Sequence, residues 1–141
     1  QHMLPDKVKD FAAQTHRGVL TTFRRNGAAQ MSIISCGPYR DGIAFTVTED
    51  RVKLKNLRRN PGCTLLVSEE AWRPFVVVEG RATILSADNT DPEEFKTALR
   101  EAYRTCSGEE HSNWEEYDQA MRDDQRSVII VVPDHVYGTA A

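Results

Sequence analysis

Arg51 and Lys53 follow directly on Phe45-Thr46-Val47-Thr48-Glu49-Asp50, an order of residue types that reads as a strand running straight into a helix start. A helix N-terminus presents free backbone N–H groups and about half a positive charge. Two cations in its first turn add to the same spot, and the group that suits such a spot is an anion, above all a phosphate. The local excess is larger still, since Arg51, Lys53, Lys55, Arg58 and Arg59 occur with no acid among them. On a helical wheel Leu54 and Leu57 face a core, so Arg51 and Lys53 flank the buried stripe while Lys55 and Arg59 point outward. For Lys55 and Arg59 a solvated face is the simpler account. For Arg51 and Lys53, solvation and an anion stand equal on the residues alone.

Other residues with chemical potential give weaker patterns. Gln30 and Ser32 alternate on one side of a strand among apolar neighbours, where they either hydrogen-bond a ligand or face water. Trp72, in Ala71-Trp72-Arg73-Pro74, falls on a loop where it meets a ligand, a partner or its own protein. His2, His16, His111 and His135 have no metal-ligand spacing with Cys36, Cys63 and Cys106, and no C-x-x-C occurs, so no metal site is expected. Cys36, beside Gly37-Pro38, reads as buried and inert. The G-x-S-x-G, G-x-G-x-x-G and G-x-x-x-x-G-K-[ST] signatures are missing, which removes the common hydrolase, dinucleotide and nucleoside-triphosphate patterns. No catalytic acid or base can be named.

The elements that must hold these residues follow from periodicity. Leu4, Val8, Phe11, Ala12 and Thr15 keep one helical face, with Pro5 suited to a first turn. Val19 to Phe23, Ala29 to Cys36 and Ile43 to Thr48 read as three strands in an antiparallel meander. Asn26-Gly27 predicts a type I′ hairpin turn, and Gly37-Pro38 with Asp41-Gly42 the next reversal. Asp50 is expected to cap the basic helix, which ends at Asn60-Pro61. Cys63 to Ser68 and Phe75 to Leu85 are further strands, with a bulge or close approach at Gly80. Asp91-Pro92-Glu93-Glu94 starts a helix with Phe95, Ala98, Leu99, Ala102, Tyr103 and Cys106 on one face. Ser112-Asn113-Trp114-Glu115 reads as a capping box for another. Val128 to Val132 is a buried strand, and a separate short one includes Val136 and Tyr137.

This order lacks the strand–helix alternation of a doubly wound sheet. The expected architecture is α+β: an antiparallel barrel of about six strands with helices at its openings. The 141 residues suit one domain, taken as 4–141, with Gln1-His2 a remnant of the expression vector. A net charge of −3 gives no global case for nucleic acid. No apolar run approaches the roughly 20 residues of a membrane span. With no signal-peptide pattern at the N-terminus and three scattered cysteines, a reducing cytoplasmic setting is expected.

Arg51-x-Lys53-x-x-Asn56-Leu57-Arg58-Arg59-Asn60-Pro61 resembles the cofactor-phosphate segment of the pyridoxamine-phosphate-oxidase-like split-barrel superfamily. The likeness is nearest to its deazaflavin-dependent branch, the flavin/deazaflavin oxidoreductases of the B group. Gly27-x-x-Gln30-x-Ser32, Val78-Glu79-Gly80-Arg81-Ala82, Glu110-His111-Ser112-x-Trp114, Gln119-Ala120-Met121 and His135-Val136-Tyr137-Gly138 agree with it, from about Val19 to Gly138. The resemblance implies a flavin-binding split barrel of six to seven strands that forms a homodimer, with two cofactor sites in the interface. Arg51 and Lys53 would hold the cofactor phosphate. Gln30, Ser32, Thr46 and Thr48 would lie along the ring and its ribityl chain, and Trp72 would reach the partner's site. Ala29 departs from the family, whose members often carry Pro there. The C-terminal extension associated with true pyridoxamine phosphate oxidases is missing, so that activity is not expected. The leading expectation is an oxidoreductase using coenzyme F420 on an electron-poor small molecule. FMN is the alternative cofactor; F420 adds an oligoglutamate tail, for which Lys55, Arg58 and Arg59 are candidate partners. A carrier or haem-binding module, with His16, His111 or His135 as ligand, is the non-catalytic alternative.

Overall fold

The computed structural model describes residues 3–141; Gln1 and His2, already set aside, lie outside the described residues. Helix α1 (Asp6–Gln14) leads into β1 (Arg17–Phe23), β2 (Ala29–Ser35), β3 (Gly37–Tyr39) and β4 (Gly42–Thr48). Helix α2 (Val52–Arg59), β5 (Gly62–Ser68), β6 (Phe75–Leu85), α3 (Pro92–Ser107), α4 (Trp114–Asp123) and β7 (Arg126–Tyr137) complete the chain. The strands make one seven-stranded antiparallel sheet in the order β2-β1-β5-β6-β7-β4-β3. The sheet curls into a split barrel, as expected for an α+β chain of this pattern.

Both faces of the curled sheet pack, in different regions. Inward-pointing Leu20, Phe45, Leu65, Val78, Ile129 and Val131 meet Val8 and Ala12 of α1 and Leu54 and Leu57 of α2, forming the barrel core. The residues alternating with them on β4 and β7, including Ala44, Val128 and Ile130, meet Ala98, Leu99 and Ala102 of α3 and Tyr117 of α4 on the outside. This two-sided burial explains why Val128 to Val132 reads as a continuous apolar run rather than an alternation.

Several local expectations are corrected. The first three strands are not a meander: β2 ends the sheet on one side, and the chain passes through Cys36 into β3, which pairs with β4 on the other. The corner is fixed because the Cys36 amide donates to the His16 carbonyl, and because Gly37 lies against α3 with no room for a side chain. Pro38 is tolerated within β3 because β3 is an edge strand. The β1–β2 hairpin forms, but only Gly27 takes a positive φ, of 88°. The Gly27 amide donates to the Arg24 carbonyl, giving a type I turn closed by a left-handed glycine instead of a type I′ turn. Asp50 does not cap α2; Arg51 holds that position, and the Asp50 carboxylate accepts from the Thr48 hydroxyl at 2.8 Å. Helix α4 is capped by Asn113 rather than Ser112. The last two strands are one, β7, because the bulge at Gly80 absorbs an extra residue around Asp134. Pro133 fits there because β4 pairs with β7 only as far as Val131. At Gly80 a side chain would meet the Val132 carbonyl, so the close approach expected from sequence is present.

Candidate functional site

A cavity of about 730 Å³ opens on the outside of β4. Thr46 and Thr48 alternate outward with buried Phe45 and Val47 inward, which places both hydroxyls on its floor. Ile33 to Ser35 of β2 continue that floor. Ala102, Tyr103 and Cys106 of α3 form one wall, and Tyr117 and Met121 of α4 extend it. Arg51 and Lys53 enter from the start of α2, where the Leu54 amide donates to the Arg51 carbonyl and the Val52 and Lys53 amides precede any intrahelical acceptor.

A third cation joins them from the far end of the chain. Arg126 opens β7 opposite Thr48, so the sheet register carries it to the same rim. Its Nη1 donates to Thr46 Oγ1 at 3.2 Å, and its Nε reaches the Asp124 carboxylate at 3.5 Å. Sequence reasoning missed Arg126, since no local spacing links residue 126 to residue 51. Only the pairing of β4 with β7 brings them together.

Like charges crowd the rim. The ammonium of Lys53 is held below the ordinary lysine range, first by burial and then by the like charges of Arg51 and Arg126. Asp50 does not neutralise them fully, being exposed and bonded to Thr48, whose hydroxyl holds its carboxyl below the usual carboxylate range. Glu116 also lines the cavity but joins no ion pair among the described residues. Because Thr46 accepts from Arg126, its own proton remains to be donated. The rim therefore offers two guanidinium groups, an ammonium, a hydroxyl and a helix N-terminus, beside a largely apolar wall. Those groups fit a molecule with a phosphate at one end and a flat ring at the other.

The remaining expected residues are placed elsewhere. Gln30 and Ser32 do not line this cavity. They face inward on β2, in a chain of hydrogen bonds that runs from Asn56 of α2 to Thr22, then to Gln30 Oε1 at 2.9 Å, with Gln30 Nε2 donating to Ser32. Arg59 is engaged as well, donating to the Phe23 carbonyl and Asn56 Oδ1, and Arg58 pairs with Glu49. Of the three candidates for an oligoglutamate contact, only Lys55 has an exposed side chain with no hydrogen bond or ion pair among the described residues. Trp72, 66 % exposed and at φ 70°, lines a second cavity with Thr15, His16 and Glu69. The two cavities share Ile33 and Ser35.

Cys36, Cys63 and Cys106 are free thiols, each pushed up to about 12 by burial, so none is poised as a nucleophile. Among the described residues no group of three or more His, Cys, Asp or Glu side chains could hold a metal ion. No described helix is long and apolar enough to cross a membrane.

Comparison with known proteins adds a family to this geometry. Residues 4–140 match the family described as pyridoxamine 5'-phosphate oxidase. A conserved hypothetical protein from Mycobacterium tuberculosis has a similar structure at 19% identity, with a TM-score of 0.74 over 95% of this chain and 82% of that one. An F420 reductase is similar at 21% identity and a TM-score of 0.64, covering 95% of this chain and 98% of its own. The haem storage protein HutZ from Vibrio cholerae is similar at 13% identity and a TM-score of 0.69, covering 96% of this chain and 94% of its own. At such identities the likeness is one of fold.

Proposed function

Since the chain belongs to the pyridoxamine 5'-phosphate oxidase family, we propose that its cavity binds a phosphate-bearing redox ring and that the protein reduces electron-poor small molecules, such as enones or quinones, with coenzyme F420 as the carrier. The observation that carries this reading is the convergence of Arg51, Lys53 and Arg126 beside Thr46 and Thr48. The fold is one on which an F420 reductase is built, and FMN is the alternative carrier.

Hydride chemistry is what the cofactor supplies when bound. The chain's own residues bind and orient. Arg51 and Lys53 clamp the phosphate, with Arg126 held toward it by Thr46. Thr46 offers a hydroxyl proton along the floor and Thr48, whose own proton goes to Asp50, an acceptor oxygen, while Tyr103, Ile33 and Met121 provide apolar surface for a ring. Gln30 and Ser32 act through Thr22 and Asn56, fixing the seat of α2 and so the position of the clamp.

The protein works as a homodimer in this proposal. Ile33, Val19, Leu66, Val77 and Tyr137 stand opposite one another across five strands, a row on the outer face with no helix over it. Ile33 is 75 % exposed and also lines both cavities, so the bare row runs directly into the site. A second copy on this row would complete the enclosure, with Trp72 the exposed ring able to reach a neighbour's cavity.

Titration of the protein with F420 and with FMN, read by fluorescence, tests the proposal. Two charge-assisted contacts of about 1.5–3 kcal/mol each make Arg51→Ala/Lys53→Ala weaken binding roughly 10²- to 10⁴-fold. Binding untouched by the double substitution would sink the clamp, and FMN binding with indifference to F420 would change the carrier. A Soret band with added haemin, in a protein that binds neither, would favour the haem-binding alternative, with His111 as the histidine that lines the cavity. Ile33→Asp should convert a dimer to monomer by sedimentation if the bare row is the interface.

A further inference from the structure

His111 lies between α3 and α4 and lines the same cavity as the three cations, with Tyr103 and Tyr117 beside it. Its Nδ1 receives the backbone N–H of Asn113 at 2.9 Å. An amide N–H always carries its proton, so Nδ1 must present a lone pair. Turning the ring over would set a C–H against the same N–H, so that contact fixes the orientation as well as the tautomer. In the neutral ring the proton therefore resides on Nε2. Three aromatic rings hold the imidazole in place, with centroids 5.0 Å away for Tyr103, 5.7 Å for Trp114 and 5.3 Å for Tyr117. Asn113 has two duties, because its side chain also caps α4 through the Glu116 amide at 3.1 Å. The cap of a helix thus sets the tautomer of a cavity histidine. Nε2 is the one polar atom of that ring with no hydrogen bond to any described residue.

We propose that the Nε2–H of His111 is the hydrogen-bond donor to the carbonyl oxygen of the substrate, an inference that rests on the reductase reading above. Reduction of an enone adds a hydride, with its two electrons, from the reduced deazaflavin to the β-carbon. Negative charge then builds on the oxygen, and a solvent proton adds at the α-carbon. His111 gives up no proton in this sequence. It steadies the developing charge through a bond that strengthens as the charge grows. The same donor orients the substrate, leaving the cationic rim to the cofactor.

The test uses protein carrying ¹⁵N-histidine, loaded with oxidised F420 so that no turnover occurs, and 2-cyclohexen-1-one as probe. Long-range ¹H–¹⁵N spectra should show a bare Nδ1 and a protonated Nε2 at His111, with the Nε2 signal shifting as the probe is added. The carbonyl stretch of ¹³C-labelled probe should fall on binding to the wild type but not to His111→Phe, which keeps a ring in the aromatic group and removes the donor. With reduced F420, His111→Phe should lower kcat about 10²-fold while F420 affinity holds, and His111→Gln should restore part of it. A purely structural histidine would instead move stability or cofactor affinity and leave the carbonyl stretch alone. A proton on Nδ1, or an unchanged stretch and kcat in His111→Phe, overturns the proposal. Failure of the wild type to bind either cofactor would sink the reductase reading separately. The tautomer and the probe-induced shift would then be read on cofactor-free protein and would still decide for or against His111.

Discussion

Replacing Gly37 by Ala tests the corner on which the whole site is hung. A Cβ at this position would lie 2.1 Å from the Thr105 carbonyl oxygen and 2.5 Å from Thr105 Oγ1. Ordinary contact needs about 3.4 Å, so the C-terminal part of α3 must retreat by more than an ångström or β3 must leave β4. Both routes strain the hydrogen bond from Thr105 Oγ1 to the Pro38 carbonyl, at 2.6 Å. Overpacking of a close-packed contact costs about 1–3 kcal/mol and a weakened hydrogen bond about 1 kcal/mol more. The expected loss is therefore about 2–4 kcal/mol, or roughly 5–15 °C in Tm for a chain of this size. Urea unfolding followed by circular dichroism measures it, with an unchanged m-value expected if only the native state suffers. Gly62→Ala is the control, since its added Cβ would meet only the Asn60 side chain, at 3.2 Å, and it should lie within about 1 kcal/mol of wild type. A Gly37→Ala protein as stable as Gly62→Ala would refute the tight seating of α3 on β3, and with it the account of how the cavity wall is placed.

Cofactor affinity should fall at alkaline pH. Lys53 must be charged to hold an anion, and its ammonium is already depressed; a bound phosphate raises it again. Affinity is therefore full below the depressed value of the free protein and lost as pH rises through the higher value of the complex, a fall that Lys53→Arg should remove from an isothermal titration series between neutral and strongly alkaline pH. Acid stability should depend on Asp118, which takes two hydrogen bonds from Arg100 and so keeps its carboxyl below the ordinary 3.8. That contribution is present above the unfolded value and lost as pH falls through the folded one. Asp118→Asn should cost about 1–2 kcal/mol at neutral pH in urea unfolding and flatten the decline in acid. Thiol labelling at mild alkaline pH should track unfolding, because raising each cysteine from 9.0 to about 12 removes about a thousandfold of its thiolate. Labelling of Cys36 or Cys63 as fast as in the denatured chain would contradict their burial.

The sequence made the elements legible where one local cause decides. Asp91 caps α3 by accepting from the Glu93 and Glu94 amides, as Asp-Pro-Glu-Glu implies, and Gly80 sits at the bulge its place in a long strand suggested. It failed where two causes compete. Gly37-Pro38 carries the chemistry of a turn, yet the need to seat α3 against β3 makes it a strand at the opposite edge of the sheet. Asp50 has the type of a cap, but the Thr48 hydroxyl takes its carboxylate first. Two of the three cations of the candidate site were readable because Arg51 and Lys53 share one turn with one strand end. Arg126 was not, since its place depends on the register of β7 against β4. His111 stood out in Glu110-His111-Ser112-x-Trp114 and as a candidate haem ligand, but not as a hydrogen-bond donor, because a tautomer is set by a backbone amide that no residue pattern reveals.

The position of β7 between β6 and β4 also has a consequence for synthesis. The strand that joins the two halves of the sheet is the last of the seven to leave the ribosome. Until residues 126 to 137 emerge, β4 and β6 each present an unpaired edge, rich in Ile, Phe and Val, that cannot be satisfied within the nascent chain. Every molecule thus spends the time of making α3 and α4 as an open template for strand addition, and a chain arrested before β7 emerges should aggregate more readily than one in which β7 has paired with β4 and β6.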